Sequence, residues 1–292
     1  MLPAVIRFVL VGLLAMGCSS GGGIAPSTGG AGTTGGAGTT GAAGTTGAAG
    51  TGDATDGGTD ANEGGSVAAL ERFSFFETSL VAMQRLSKSQ NGFGGDLRYG
   101  ESDGLKGADK ICTEIAETSM KGAGAKGWHA FLSAADGPVH AIDRIGNGPW
   151  YDRKGRTVAL TKAALLNPRP LGADPAILND LPNEDGVPNH RPDPTMDVVD
   201  NESVLTGSNA EGRLYSATAT CNSWTSTTVA AGRPRIGFAW SVGPRTNWIS
   251  GLDEGGCGAG VLLVEIGGSN PANPIVGSAG GYGAIYCFAD VP

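Results

Sequence analysis

Between Ala108 and Thr118 the apolar residues Ala108, Ile111, Cys112, Ile115 and Ala116 recur at intervals of three and four. That spacing predicts an amphipathic helix with Cys112 on its inward face. After the glycine-rich MKGAGAKG the period changes to two, with Trp128, Ala130 and Leu132 alternating against His129, Phe131 and Ser133. This is the pattern of a strand. Short β-rich runs follow in VHAIDRI, GPWYDRKGRTVAL, VLTGSNAEGRLYSATATCNSW and the closing YGAIYCFAD, where Ile285 and Cys287 share one face. Lys154-Gly155 and Glu211-Gly212 are the hairpin turns between them. A helix followed by many short strands and long connections predicts a loop-rich α+β domain.

The amino-terminal pattern is different in kind. Residues 1–17 carry one arginine, an apolar run from Phe8 to Met16 and a small residue before Cys18, which reads as a secretion signal. The run is half the length of a membrane span and is followed by SSGGG. LLAMGC resembles the lipobox of bacterial lipoproteins, with Ala15 and Met16 where leucine and alanine are favoured. The resemblance implies lipidation of Cys18 and a membrane anchor made of acyl chains. Residues 18–66 then form a tether of Gly, Thr and Ala with no aromatic residue, and it is predicted to be disordered. Residues 67–292 remain for one domain. Without Arg7 and the tether acids Asp53, Asp56, Asp60 and Glu63, the formal charge of −8 becomes −5 for that domain. Such a balance argues against nucleic acid or another polyanion as partner.

The domain has four cysteines, Cys112, Cys221, Cys257 and Cys287. In an exported chain an even count reads as two disulfides. No two of them have zinc-knuckle spacing, and no histidine lies close in sequence to any of them. Three pairings stay open on spacing alone.

The ordered series GADKICTEIAETS…GWHAFLSA, LTGSNAEGRLYSATATCNSWTS, CGAG and GYGAIYCFAD resembles the endostatin-like branch of the C-type-lectin-like fold, including a bacterial lectin-like family of unknown function. The resembling pieces span most of residues 95–292. The resemblance implies bridges from Cys112 to Cys287 and from Cys221 to Cys257, with Trp224 packed near the second as core. It also implies a scaffold that presents variable loops for recognition. The heparin and zinc associations of endostatin itself are not carried over, because Arg233, Arg235 and Arg245 are a thin substitute for its arginine clusters and the front of the chain lacks histidines.

Candidate chemistry is sparse. An insertion at about 165–203 is richest in acids and amides over 179–202, where Asp180, Asn183, Glu184 and Asp185 are candidate ligands for calcium. The segment fails the EF-hand pattern, with Leu181 in the first place and Pro192 in the twelfth, and a solvated, proline-stiffened loop is the competing reading. No cofactor is called for. Three histidines, His129, His140 and His190, form no recognisable pair with a nucleophile, and no serine elbow or phosphate loop occurs. The domain is therefore read as a binding protein, not an enzyme. Aromatic residues beside amides and acids mark two sugar-binding candidates: Trp150 with Tyr151, and Trp248 with Asn247, Asp253 and Glu254. For each tryptophan a core position is the stronger reading.

The expected protein is a cell-envelope lipoprotein, at the outer membrane or cell surface, that binds a glycan or a protein and touches the membrane only through its anchor. The rival readings are a metal-dependent enzyme built on the 179–202 insertion and a purely structural or adhesive envelope protein.

Overall fold

The computed structural model describes residues 72–190, 201–241, 243–264 and 268–291. The signal segment, Cys18 and the tether lie outside the described residues, as does 191–200 of the acidic insertion. What is described is a mixed α/β domain.

Its last strand is its centre. β7 (Gly281–Ala289) runs through a five-stranded sheet with all nine residues buried. The carboxyl-terminal half of β7 pairs antiparallel on both sides, with β1 (Phe75–Glu77) and with β2 (Trp128–Ala130). Its first half pairs in parallel with β5 (Ser203–Leu205), which pairs antiparallel with β6 (Ile236–Phe238). Covered on both faces, β7 does not keep a solvent side, so the single inward face expected for Ile285 and Cys287 becomes two buried faces.

Two helices flank this sheet. α1 (Leu80–Ser87) follows β1 directly, with Ser79 as its cap. α2 (Gly104–Ser119) begins four residues before the periodic stretch, because Asp103 caps it by accepting from the Leu105 and Lys106 N–H groups. Its inward residues are those of the sequence pattern, with Gly104 and Gly107 added. Asp109 on this helix accepts from the Ala130 N–H at 2.8 Å and from Arg144 at 2.7 Å, fastening β2 to α2.

The two expected turns form. A small hairpin joins β3 (Trp150–Tyr151) to β4 (Thr157–Ala159), and the Gly155 N–H donates to Asp152. In the second, the Asn209 N–H donates to the Arg213 carbonyl and the Gly212 N–H to that of Asn209.

Cys112 of α2 is bonded to Cys287 of β7, and Cys221 to Cys257, each with Cα atoms 5.6 Å apart. These are the pairs the resemblance implied. The first fixes the long helix to the central strand. Around it pack Phe73, Phe75, Trp128, Trp150, Trp248 and Phe288, all inside the core. Trp150 meets Phe288 edge-on at 5.4 Å and Trp248 meets Tyr286 at 5.1 Å. Buried indoles of this size dominate the energetics of a core made of short elements.

The second bridge holds an unusual turn. Cys221, Asn222, Ser223 and Trp224 all have positive φ, between 47° and 64°. Left-handed backbone costs a non-glycine residue about 1–2 kcal/mol, so four in succession need strong support. They receive it from the disulfide, from Trp224 Nε1 donating to the Ser133 carbonyl at 2.8 Å, and from Ser223 Oγ accepting the Ala135 and Asp136 N–H groups. Cys221 is thus a staple and Trp224, three places later, is its buried anchor.

Candidate functional site

The strained turn carries a loop. Residues 91–101, NGFGGDLRYGE, lie against it: the Gly95 N–H donates to the Cys257 carbonyl at 2.8 Å and the Leu97 N–H to the Trp224 carbonyl at 3.0 Å. A side chain at Gly95 would stand 2.5 Å from Cys221 Sγ, so the approach to the disulfide requires glycine. Leu97 is fully buried and anchors the loop from below. Tyr99 has φ of 45°, a conformation uncommon for an aromatic residue and of the kind that concentrates at functional loops.

What the loop presents is a cleft of about 480 Å³, lined among others by Phe93, Asp96, Arg98, Tyr99 and Glu101. Phe93 and Tyr99 are half-buried, their rings meeting edge to face at 5.6 Å. Tyr99 is oriented from two sides, its hydroxyl donating to Glu114 at 2.8 Å and the Lys110 ammonium lying 5.3 Å from its ring centre. Burial, with Glu114 second, pushes the Tyr99 phenol up. Asp96 and Arg98 form a forked pair, Nε to Oδ1 at 2.9 Å and Nη2 to Oδ2 at 2.5 Å, and the bond from Arg98 holds the Asp96 carboxyl below its ordinary value. The result is an aromatic corner rimmed by paired charged groups. On sequence alone the glycines of this stretch read as turns and nothing more. The available signal was the interleaving of aromatic, acid and arginine between the glycines of 92–100.

A larger cleft, of about 650 Å³, opens between α1, the end of α2 and the loop 183–189. Ser79, Leu80, Val81, Glu184, Val187 and Asn189 are among its walls. Glu184, almost fully buried, accepts from the Ser79 hydroxyl at 2.5 Å through Oε1 and from the Ser79 N–H at 2.9 Å through Oε2. Burial pushes its carboxyl up, against the pull of the Ser79 bonds. Behind the cleft Asn189 Nδ2 donates to Glu77 Oε1 at 2.7 Å and lies 2.6 Å from the Tyr282 hydroxyl. Glu77 is wholly buried, and burial pushes it well above the usual carboxylate range.

Of the candidate calcium ligands, Asn183, Glu184 and Asp185 line this cleft together. Asn183 Oδ1 is engaged by the Asp185 and Val187 N–H groups, Glu184 by Ser79, and Asp185 is exposed. Asp180 points elsewhere, to His190, whose ring stacks on Trp240 at 4.4 Å. Among the described residues no group of three or more His, Cys, Asp or Glu side chains is placed to hold a metal ion.

The two sugar-binding candidates of the sequence do not form aromatic platforms. Trp150 and Trp248 are in the core, 1% and 0% exposed, because these indoles supply the apolar surface that the short strands cannot. Tyr151 is half-buried under the Arg72 guanidinium. Asn247 builds a turn by accepting from the Ile249 and Ser250 N–H groups, and Asp253 pairs with Arg235 at 3.2 Å. Glu254 is buried, accepts from Ser278 Oγ and the Ala279 N–H, and is pushed up to about 8 by burial.

Compared with protein-family models and with curated proteins, the chain matches none. Among the described residues no helix is long and apolar enough to cross a membrane. The two disulfides fit a non-reducing setting.

Proposed function

We propose that the chain is an exported lipoprotein, anchored through Cys18 and held off the membrane by its tether, whose domain is a recognition module of the lectin-like, endostatin-like kind. Its ligand is a glycan, held in the Tyr99 cleft by contact alone, with no metal and no chemistry at that place.

The observation that carries the reading is the Phe93–Tyr99 corner, half-buried in a cleft whose rim carries charged pairs. A sugar ring offers an apolar face of C–H groups and a rim of hydroxyls that both donate and accept. An aromatic wall takes the first, and Asp96, Arg98 and Glu101 suit the second. Arg98–Asp96 and Lys110–Glu101 contacts set these charged groups side by side around the aromatic wall. The acidic domain favours neutral over polyanionic sugars.

The test is a glycan array probed with the disulfide-intact protein, in chelator, beside Tyr99→Ala. A discrete set of neutral glycans should bind, and the variant should bind them at least tenfold more weakly, a change of about 1.4 kcal/mol. An empty array, or the same set bound equally by the variant, contradicts the reading; binding only when calcium replaces chelator contradicts its metal-free form.

A further inference from the structure

The 650 Å³ cleft shares no lining residue with the Tyr99 cleft, and its wall carries a different chemistry. Ser79 sits where β1 ends and α1 begins, half-buried and open to the cleft. Its hydroxyl donates to Glu184 Oε1 at 2.5 Å. A nucleophile and a carboxylate base within hydrogen-bond reach, in a cleft of about 650 Å³, meet the geometric requirement for covalent catalysis.

The surrounding groups complete the arrangement. The first N–H groups of a helix have no acceptor within it. Of the four at the start of α1, that of Ser79 donates to Glu184 Oε2 and that of Ala82 to Ser79 Oγ. That of Leu80 is turned to the buried Tyr282 hydroxyl, which leaves the Val81 N–H, on the cleft wall at the positive end of the helix. A donor so placed is suited to a developing oxyanion. The Ala82 N–H also steadies negative charge on Oγ itself. Glu184 is a stronger base than an exposed carboxylate, since burial raises it, and its position is fixed by Ser119 Oγ donating to its carbonyl at 2.6 Å. Val81, Ile115, Val187 and Leu263 form an apolar part of the wall that suits an acyl chain, beside the polar Arg85, Thr118 and Asn183.

We infer that Ser79 and Glu184 are a serine–carboxylate pair competent for acyl transfer, acting on an ester with an apolar acyl group. Ser79 Oγ forms a bond to the acyl carbon as its proton passes to Glu184, and the carbonyl oxygen takes the negative charge facing the Val81 N–H. The bond to the alcohol breaks, Glu184 returns the proton to the leaving oxygen, and an acyl ester of Ser79 remains. Water then attacks that ester, giving its proton to Glu184. Ser79 leaves and takes the proton back, and the free acid departs. The inference departs from the expectation of no catalysis and is independent of the glycan reading.

The experiment treats the full, disulfide-intact protein with an alkyl fluorophosphonate and maps the adduct by peptide mass spectrometry. One phosphonate on Ser79 is expected. Ser79→Asn keeps an oxygen able to cap α1 and should take no label there. Glu184→Gln keeps the hydrogen-bonding shape and loses the base, so its labelling should slow at least tenfold with the disulfide map unchanged. The same wild-type protein should turn over p-nitrophenyl esters of medium-length acids. The inference is overturned if folded protein carries no adduct at Ser79, or if Glu184→Gln is labelled as fast as wild type, which is the behaviour of a helix cap with no further role.

Discussion

Glu254 lies wholly inside the protein, and burial pushes it up to about 8. Glu77 and Glu184 move the same way for the same cause. An acid whose folded value exceeds its unfolded one keeps its proton in the folded chain after the unfolded chain has released it. For Glu254 that contribution is therefore whole below about 4.5 and is lost as pH climbs toward 8, at about 1.4 kcal/mol per pH unit, and Glu77 and Glu184 add to the fall with the same sign. His129, raised by Asp109, has the same sign: its stabilisation is complete below 6.5 and fades as pH passes its raised value. Asp96 has the opposite sign but acts below 3.8, outside this window. The melting temperature should accordingly be higher at pH 5 than at pH 8, and Glu254→Gln should flatten the difference; a midpoint that rises between those values contradicts the assignment. None of this was legible in the sequence, where Glu254 stood among candidate sugar contacts. A carboxylate in a glycine-rich loop looks exposed until the fold wraps Ser278 and Ala279 around it.

At the scale of elements, α2 was the most legible part, because apolar residues at intervals of three and four fall on one face only when the backbone is helical. Its true start was hidden by GLKG, where two glycines argue against helix on propensity alone. The structure gives the reason for them. A Cβ at Gly107 would stand 2.1 Å from the Arg98 carbonyl oxygen, and one at Gly104 2.4 Å from that of Trp224. These glycines let the helix touch the 91–101 loop and the left-handed turn. Gly107→Ala gains about 1 kcal/mol in helix propensity and loses about 3 to overpacking against backbone, so a net destabilisation of about 2 kcal/mol is expected in denaturant unfolding. A stabilised variant would mean that the loop does not pack there. The turn at 221–224 was illegible, since no residue in CNSW favours four left-handed conformations and only the bridge and its neighbours impose them.

For the whole molecule, order along the chain and order in space disagree. β7 comes last and lies at the centre, so β1, β2 and β5 close on it only when the carboxyl terminus is in place. The Cys112–Cys287 bridge, spanning 175 residues, counters that cost by about 5 kcal/mol in the chain-entropy account, and the 36-residue Cys221–Cys257 bridge adds about 4. The pairing came from a resemblance, since spacing alone allowed three, and the cleft at Tyr99 came only from the fold that pairing stabilises. The frame is thus local in its 91–101 loop and long-range in what holds the loop still. The most direct test of the account is hydrogen exchange read by mass spectrometry on intact protein, with and without a glycan that the array returns. New protection confined to residues 91–101 and their neighbours is the predicted result. Protection that falls instead on 79–85 and 183–189, or nowhere, would contradict the assignment of recognition to the Tyr99 cleft.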